Sequence, residues 1–467
     1  MYVLNIKAMK LPEFEIHVIR RDINVVYHPQ SSHLFIVDDD IAENLEQYEH
    51  ASECEQEKVL QFYSKAKGKE KPLFTYDRND YFVKELALLI SQDCNLRCRF
   101  CYANFGAYHE GKFSNMPPEI AEKALEIFLP RYIEKRVSIK FFGGEPLLNF
   151  DIIRTVVKHT EQFCKKTGQI PVYPLVTNGT LITDEMIDFF NKYNFNITVS
   201  LDGPKEVNDQ LRLSLDGSSV HDTVAQNVEK MNARRNFPLN LEATITSINS
   251  DMDSIHSYLL SLGVDSVIFG PVEIEKENPL YISPEKVAQA SVSTMGRVIQ
   301  SMGTESPSFE GEIGLFFRRL RWRTRFTHNT CGAGLSMFSI TTKGDVYPCY
   351  KFVGIKDFYM GNIQDKGFPE EPFWRIHSYV LDHEVDECAA CKDCWARYIC
   401  LGYCYAANYF FTGDPFTPDE TICYHHRLYL ENFLVEVARW GSDPEWRENF
   451  KKNLQKRSVD RRWSTEP

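Results

Sequence analysis

From about residue 83 to residue 305 the chain alternates strand-like and helix-like segments, and this alternation restricts the fold more than any other feature. Strand-like runs fall at Glu85–Ile90, Val137–Phe142, Tyr173–Val176, Phe195–Ser200, Leu239–Ile245 and Asp265–Phe269. Helical patterns lie near 118–134, 150–167, 183–193, 219–234, 251–262 and 284–302, with Thr183, Ser219 and Ser283 standing where N-caps belong. Six βα repeats predict an α/β fold, a parallel sheet curled into a partial (β/α)6 barrel. Chemistry in such a sheet gathers at the carboxyl ends of the strands.

The segment after the first strand reads Asp93-Cys94-Asn95-Leu96-Arg97-Cys98-Arg99-Phe100-Cys101-Tyr102. A structural zinc ion or a fully ligated iron–sulfur cube takes four protein ligands, and this C-x3-C-x2-C loop offers three. A cube held by three thiolates keeps one iron open to an outside ligand. The second strand is followed by Gly143-Gly144-Glu145-Pro146, where glycines let the backbone approach a ligand and a carboxylate can accept from an ammonium. The third strand ends in Thr177-Asn178-Gly179 and the fourth in Ser200-Leu201-Asp202-Gly203, with Arg212 close behind. Singly these are weak signals: Gly-Gly is usually a turn, Asp202 caps a turn as readily as it binds a ligand, and a lone Arg is ordinarily a surface residue.

Together they resemble the radical SAM superfamily. The resemblance implies a 4Fe–4S cluster on Cys94, Cys98 and Cys101 whose open iron binds the amino and carboxylate groups of S-adenosylmethionine (SAM) and delivers the electron that breaks its C5′–S bond. It places Gly143, Gly144 and Glu145 at the SAM amino group and Arg212 at its carboxylate. Asn178 and Tyr102 join the SAM-binding set, with Ser200 and Asp202 toward the ribose hydroxyls.

A second cysteine group follows: Cys331, Cys349 after Gly344-Asp345-Val346-Tyr347-Pro348, then Cys388, Cys391, Cys394, Cys400, Cys404 and Cys423. Zinc knuckles are the competing explanation, because C-x2-C suits zinc equally well. The interleaved spacing resembles the SPASM extension, which carries two auxiliary 4Fe–4S clusters, so three clusters are expected in all. By that resemblance Cys391, Cys394, Cys400 and Cys423 close the distal cluster, while Cys331, Cys349 and Cys404 hold the proximal one. Cys388 either completes the proximal set or leaves an open iron there for a substrate thiolate. Cys54 and Cys164 fall outside these groups and read as free thiols.

Four separated stretches narrow the resemblance to the SCIFF and ranthipeptide group of thioether-forming peptide maturases: Cys98–Tyr108, Phe141–Phe150, Lys392–Tyr398 and His33–Ala42. The freyrasin-type Cys-to-Asp thioether maturase is a similar member. The likeness runs from about residue 15 to 435. Such enzymes join a cysteine sulfur to a carbon of an acceptor residue, such as Asp, in a ribosomally made, cysteine-rich precursor peptide with a leader. The expected course is hydrogen abstraction from the acceptor by a 5′-deoxyadenosyl radical, attack on sulfur, and departure of one electron through the proximal cluster. A reductant such as flavodoxin or ferredoxin is implied. Other SPASM peptide chemistries, namely carbon–carbon crosslinking, epimerisation or formylglycine formation, share these residues. Sulfatase maturases carry an aspartate base directly after the cysteine matching Cys349; this chain has Tyr350 and Lys351 there, and no general base is assigned.

Residues 1–80 resemble a winged-helix-like domain that recognises precursor leaders by strand addition, followed by a linker. Phe14–Tyr27 and His33–Val37 read as strands around a turn at Pro29-Gln30-Ser31-Ser32, Ile41–Tyr48 and Lys58–Ala66 as helices. The barrel is expected over 81–310, the SPASM domain over 311–440 and a charged tail over 441–467. A net charge of −12 argues against a nucleic-acid partner. No apolar run reaches the ~20 residues of a membrane span, and Met1–Lys7 lacks a signal-peptide core. With cysteines in ligand-like spacings rather than disulfide ones, a cytoplasmic location is expected.

Overall fold

The computed structural model describes residues 10–11, 14–304, 311–321, 323–329 and 331–459. The expectations on Met1–Lys7 and on the chain beyond residue 459 lie outside the described residues. Contacts group the chain into two compact units that do not follow chain order: Met1–Thr75 with Ser291–Thr330 and Glu384–Lys456, and Tyr76–Ala290 with Cys331–His383 and Arg457–Pro467.

The first unit opens with β1 (Lys10–Leu11) paired to β2 (Phe14–Glu15), then an antiparallel sheet β3 (His17–Arg20), β4 (Asn24–His28), β5 (His33–Val37). The single strand expected over Phe14–Tyr27 is a hairpin, because Arg21-Asp22-Ile23 turns the chain and Asp22 pairs with Arg439 at 2.7 Å. Helix α1 (Asp39–Glu46) is capped by Asp38. Helix α2 (Glu53–Ala66) begins five residues before the expected Lys58, because Ser52 and Glu55 form a reciprocal capping box. Strand β4 is buried on both faces: Val26 packs toward Leu45 and Val59, while Val25 and Tyr27 enter a core with Phe316, Trp395 and Phe433. His17 stacks on Trp395 at 4.0 Å and meets Glu431 at 2.9 Å.

The second unit holds the barrel sheet. Strands β6 (Glu85–Gln92), β8 (Arg136–Gly143), β9 (Ile170–Thr177), β10 (Phe195–Ser200), β11 (Leu239–Ile245) and β12 (Ser266–Pro271) run parallel in sequential order, with β7 (Ser114–Asn115) antiparallel to β6. From Leu86 to Ile90 every side chain of β6 is fully buried, as a strand covered on both faces requires. Helices α3 (Pro118–Phe128), α4 (Phe150–Thr167), α5 (Asp184–Lys192), α7 (Val220–Asn232) and α8 (Met252–Ser261) connect the strands, and α6 (Lys205–Leu211) is added after β10. Thr183 and Ser219 cap α5 and α7 as expected, and the Ser283 hydroxyl accepts from the Lys286 amide at the start of α9 (Pro284–Ser301). The helix expected over 118–134 stops at Phe128, where Pro130 supplies no N–H and a 3-10 turn takes over.

One addition was not anticipated. Strand β13 (Met337–Ile340) joins the sheet parallel to β6, Met337 opposite Glu85, and β14 (Val346–Tyr347) folds back on it. This delivers Cys349, Tyr350 and Lys351 to the second unit. The remaining helices are α10 (Gly311–Arg321), α11 (Glu371–Leu381), α12 (Arg397–Cys400), α13 (Tyr405–Thr412), α14 (Glu420–Ser442) and α15 (Pro444–Val459). Among the described residues no helix is long and apolar enough to cross a membrane.

Candidate functional site

Past Gln92 the chain coils back over the end of β6. The Cys94 amide donates to Asp93 Oδ1 at 2.7 Å, the Leu96 amide approaches Cys94 Sγ at 3.4 Å, and the Phe105 amide approaches Cys101 Sγ at 3.3 Å. Amides aimed at sulfur favour the thiolate, the form that binds metal. Reaching Cys101 takes a sharp reversal: Asn104, Phe105 and Tyr108 all sit at positive φ, a left-handed backbone that non-glycine residues adopt only when their surroundings enforce it. The loop is also zipped to the segment after α6, with the Arg97 and Arg99 amides donating to the Leu213 and Leu211 carbonyls.

Cys94, Cys98 and Cys101 line a cavity of about 350 Å³ at the carboxyl ends of the barrel strands. Tyr102, Gly143, Gly144, Asn178, Ser200 and Arg212 line it too. Burial pushes the Cys94 thiol up to about 12 and raises Cys98, where Arg212 opposes the rise. These thiols ionise when a metal supplies positive charge. The glycines are a steric necessity: a methyl group on Gly143 would overlap the Ser91 carbonyl, and one on Gly144 the Asp93 carbonyl. Three sulfurs facing one cavity beside a side-chain-free backbone fit a three-thiolate cluster with an open iron and a ligand beside it.

Two expected SAM contacts stand behind the wall. Glu145 is fully buried, and its carboxylate braces β8 against β9: Oε1 accepts from the Thr177 hydroxyl at 2.7 Å and the Leu147 amide at 3.0 Å, Oε2 from the Asn178 amide at 2.7 Å. Burial, only partly offset by these donors, raises its pKa to about 7. Asp202, also fully buried, holds Arg212 through two hydrogen bonds of 2.8 and 2.9 Å and accepts from the Thr244 amide. It is neither a turn cap nor a cavity-lining group. Arg212 thereby joins Asp202 to the Cys98 thiol, its guanidinium stacked 5.2 Å from the Phe100 ring. Asn178 donates to Asn95 Oδ1 at 2.8 Å and points its amide at Cys94 Sγ at 3.8 Å.

Part of the cavity wall escaped the sequence reading, namely Lys140, Phe142, Glu242 and Glu273, while Tyr350 and Lys351, noted there after Cys349, line it too. Lys351 Nζ contacts both Glu273 oxygens, at 2.6 and 2.7 Å. Tyr350 packs on Phe142 with ring centres 4.2 Å apart. The inward alternation along β8 was a usable signal for Lys140; nothing local in the sequence pairs Lys351 with Glu273.

In the first unit, Cys391, Cys394, Cys400 and Cys423 line one small pocket, together with His426, Arg397 and Arg427. Leu401, Gly402 and Tyr403 follow in three successive left-handed conformations, and the Tyr403 amide donates to the Cys400 thiol. Burial raises Cys400 to about 12 and Cys423 to about 11. Four thiols around one pocket fit the expected distal cluster. Cys388 does not line it; its thiol donates to the Phe416 carbonyl at 3.1 Å and lies against Cys391. Of the expected proximal set, Cys331 and Cys349 belong to the second unit and Cys404, the N-cap of α13, to the first.

Residues 88–239 match the Radical SAM superfamily, and residues 331–395 match SPASM, an iron–sulfur cluster-binding domain. The chain carries a radical SAM core and a SPASM domain. Both domains imply iron–sulfur clusters, and the radical SAM core implies SAM. The chain is similar to the cysteine-type anaerobic sulfatase-maturating enzyme of Clostridium novyi, 25% identical over 338 residues, covering 69% of this chain and 88% of that one. It is also similar to the radical SAM cyclopropyl synthase TigE of Paramaledivibacter caminithermalis, 31% identical over 168 residues, but only over 33% of this chain and 34% of that one. Among solved structures, anSMEcpe with bound AdoMet and Kp18Cys peptide shares the fold, with TM-score 0.64, 19% identity and coverage of 76% of this chain and 99% of that one. So does Streptococcus suis SuiB bound to precursor peptide SuiA, with TM-score 0.53, 16% identity and coverage of 85% and 96%. The radical SAM core and SPASM domain make this a modification enzyme related to sulfatase and peptide maturases.

Proposed function

We propose that this protein joins a cysteine sulfur to a carbon of an acceptor residue in a ribosomally made precursor peptide, forming a thioether. The carrying observation is the wall beside Cys349. Tyr350 stands there instead of a carboxylate, and the acid close by, Glu273, is neutralised by Lys351. A reaction that needs a carboxylate base directly after Cys349, as formylglycine formation does by resemblance, does not find one at that position, and would have to draw on an acid elsewhere such as Glu242 on the same wall. The peptide substrate is supported by SuiB having been solved with its precursor peptide and anSMEcpe with a peptide.

Held by Cys94, Cys98 and Cys101, a 4Fe–4S cluster with SAM would supply the one-electron cleavage that starts hydrogen abstraction. The chain's own residues do the rest by position. Gly143 and Gly144 let the ligand lie against backbone, Ser200 and Asn178 offer polar contacts, and Phe142 with Tyr350 forms an apolar wall that keeps water from the reacting carbon. By resemblance, auxiliary iron–sulfur clusters take up the departing electron, and four of the downstream cysteines, Cys391, Cys394, Cys400 and Cys423, line one pocket. Strand β5, at the edge of the first unit's sheet, pairs with one strand only among the described residues, and its other edge would take a leader strand. The working setting is cytoplasmic, with a flavodoxin or ferredoxin as reductant.

Mass spectrometry of the peptide encoded nearest the gene tests this, using reconstituted enzyme, dithionite and SAM. Loss of two hydrogens per crosslink, thiols that no longer alkylate and release of 5′-deoxyadenosine are expected. Deoxyadenosine with an unchanged peptide would remove the substrate class. Formylglycine formation is the second reading, favoured by the sulfatase-maturase relatives. A sulfatase-derived cysteine peptide converted to an aldehyde would establish it instead.

A further inference from the structure

The cavity of the second unit contains a cation, Lys140, that forms no ion pair among the described residues. On β8, Val137, Ile139 and Phe141 are fully buried, so alternation turns Lys140 and Phe142 to the other face, which lines the cavity. The Lys140 ammonium lies 4.9 Å from the ring centre of Tyr350 and 5.3 Å from that of Phe142. The side chain is half-buried. Stacking on the two rings aims the charge without cancelling it.

Two pairs engage most of the other charge at this wall. Glu273 holds Lys351, and Asp202 holds Arg212, whose remaining side faces Cys98. Glu242 also lines the cavity and acts on Arg212 through its charge, and among the described residues it forms no ion pair with Lys140. A cation on the inner face of a barrel strand is costly to desolvate until an anion reaches it. We infer that Lys140 is the carboxylate-binding residue of this cavity, with Tyr350 and Phe142 as the platform that holds it. This gives Lys140 a task that resemblance alone assigns to Arg212. The carboxylate belongs either to the methionine end of SAM or to an acidic residue of the substrate peptide; only the second source rests on the proposed function.

Two ligand pairs that differ in the carboxylate separate the sources: SAM with decarboxylated SAM, and N-acetylaspartate N-methylamide with its asparagine counterpart. Reconstituted enzyme is treated anaerobically with formaldehyde and a mild hydride donor, and methylation of Lys140 is followed by mass spectrometry. The carboxylate member of one pair is expected to slow labelling several-fold, and its partner without the carboxylate is expected not to. Affinity supplies the second measurement. Lys140→Met, which keeps the stem against Tyr350, is expected to bind that carboxylate ligand about tenfold more weakly and its partner without the carboxylate no more weakly, with Lys140→Arg retaining the affinity. Protection by neither carboxylate, or equal affinities of wild type and Lys140→Met for both, overturns the inference. Neither readout involves peptide turnover, so a precursor left unmodified by the wild type speaks against thioether formation and not against Lys140.

Discussion

Arg212 holds Asp202 through two parallel hydrogen bonds, Nε to Oδ2 at 2.8 Å and Nη2 to Oδ1 at 2.9 Å, with both side chains buried. Because Oδ1 also accepts from the Thr244 amide, the pair ties the ends of β10 and β11 to the segment that is zipped to the cysteine loop. Asp202→Asn leaves a buried guanidinium without its counter-ion. Such breaks cost about 3–5 kcal/mol. Urea denaturation followed by circular dichroism is expected to show a loss of that order, and the Asp202→Asn/Arg212→Gln double variant a smaller one. Equal losses in the two variants would mean that the charge is not what matters.

Glu145 makes the stability of the fold depend on pH. Its pKa is raised by burial from 4.5 to about 7. Between those values the folded state keeps the proton that the unfolded chain has lost. Stability therefore falls as pH rises through that window and levels off above it. Glu145→Gln is expected to remove this slope. Its amide also turns a donor toward the Asn178 amide, costing about 1–3 kcal/mol at the low end of the window. Denaturation midpoints of both proteins between pH 5 and pH 8 (on the order of one reading per half unit) check the sign.

Gly144→Ala tests the close approach of β8 to the cysteine loop. The added methyl meets the Asp93 carbonyl, and Asp93 precedes the first of the three cysteines. The loop must shift, so iron–sulfur absorbance after reconstitution is expected to fall to the level of a Cys94→Ala variant while helix content stays intact. Full cluster loading in Gly144→Ala would show that the loop tolerates displacement.

Cys388 and Cys391 differ in where they stand, although two residues separate them. Cys391 lines the four-thiol pocket and Cys388 does not. Cys391→Ala is expected to remove one cluster, about four irons per chain, and Cys388→Ala to leave the distal cluster's electron paramagnetic resonance signal unchanged. A distal signal lost in both variants would place Cys388 among its ligands.

Much of this molecule was legible from local pattern. The six barrel strands, the caps at Thr183 and Ser219, the cysteine loop after β6 and the glycine pair after β8 all follow from periodicity and spacing. These are short-range properties, and adjacent residues are enough to specify them. Helix ends were less legible: Pro130 stopped α3 early, and the Ser52–Glu55 box started α2 early.

Only the tertiary structure decided what each polar side chain does. The sequence put Glu145 and Asp202 beside a ligand, and folding put them behind the wall as braces, because a carboxylate in a sheet-end crevice satisfies the nearest donors first. It also added β13 beside β6, residue 337 opposite residue 85, which brought Tyr350 to Phe142 and gave Lys140 its platform. Cysteine spacing along the chain marked where metal ligands gather, and resemblance, not spacing, pointed to iron–sulfur over zinc. The neighbours of its charges were decided in space, since ion pairs and strand additions join residues whose separation in sequence carries no signal.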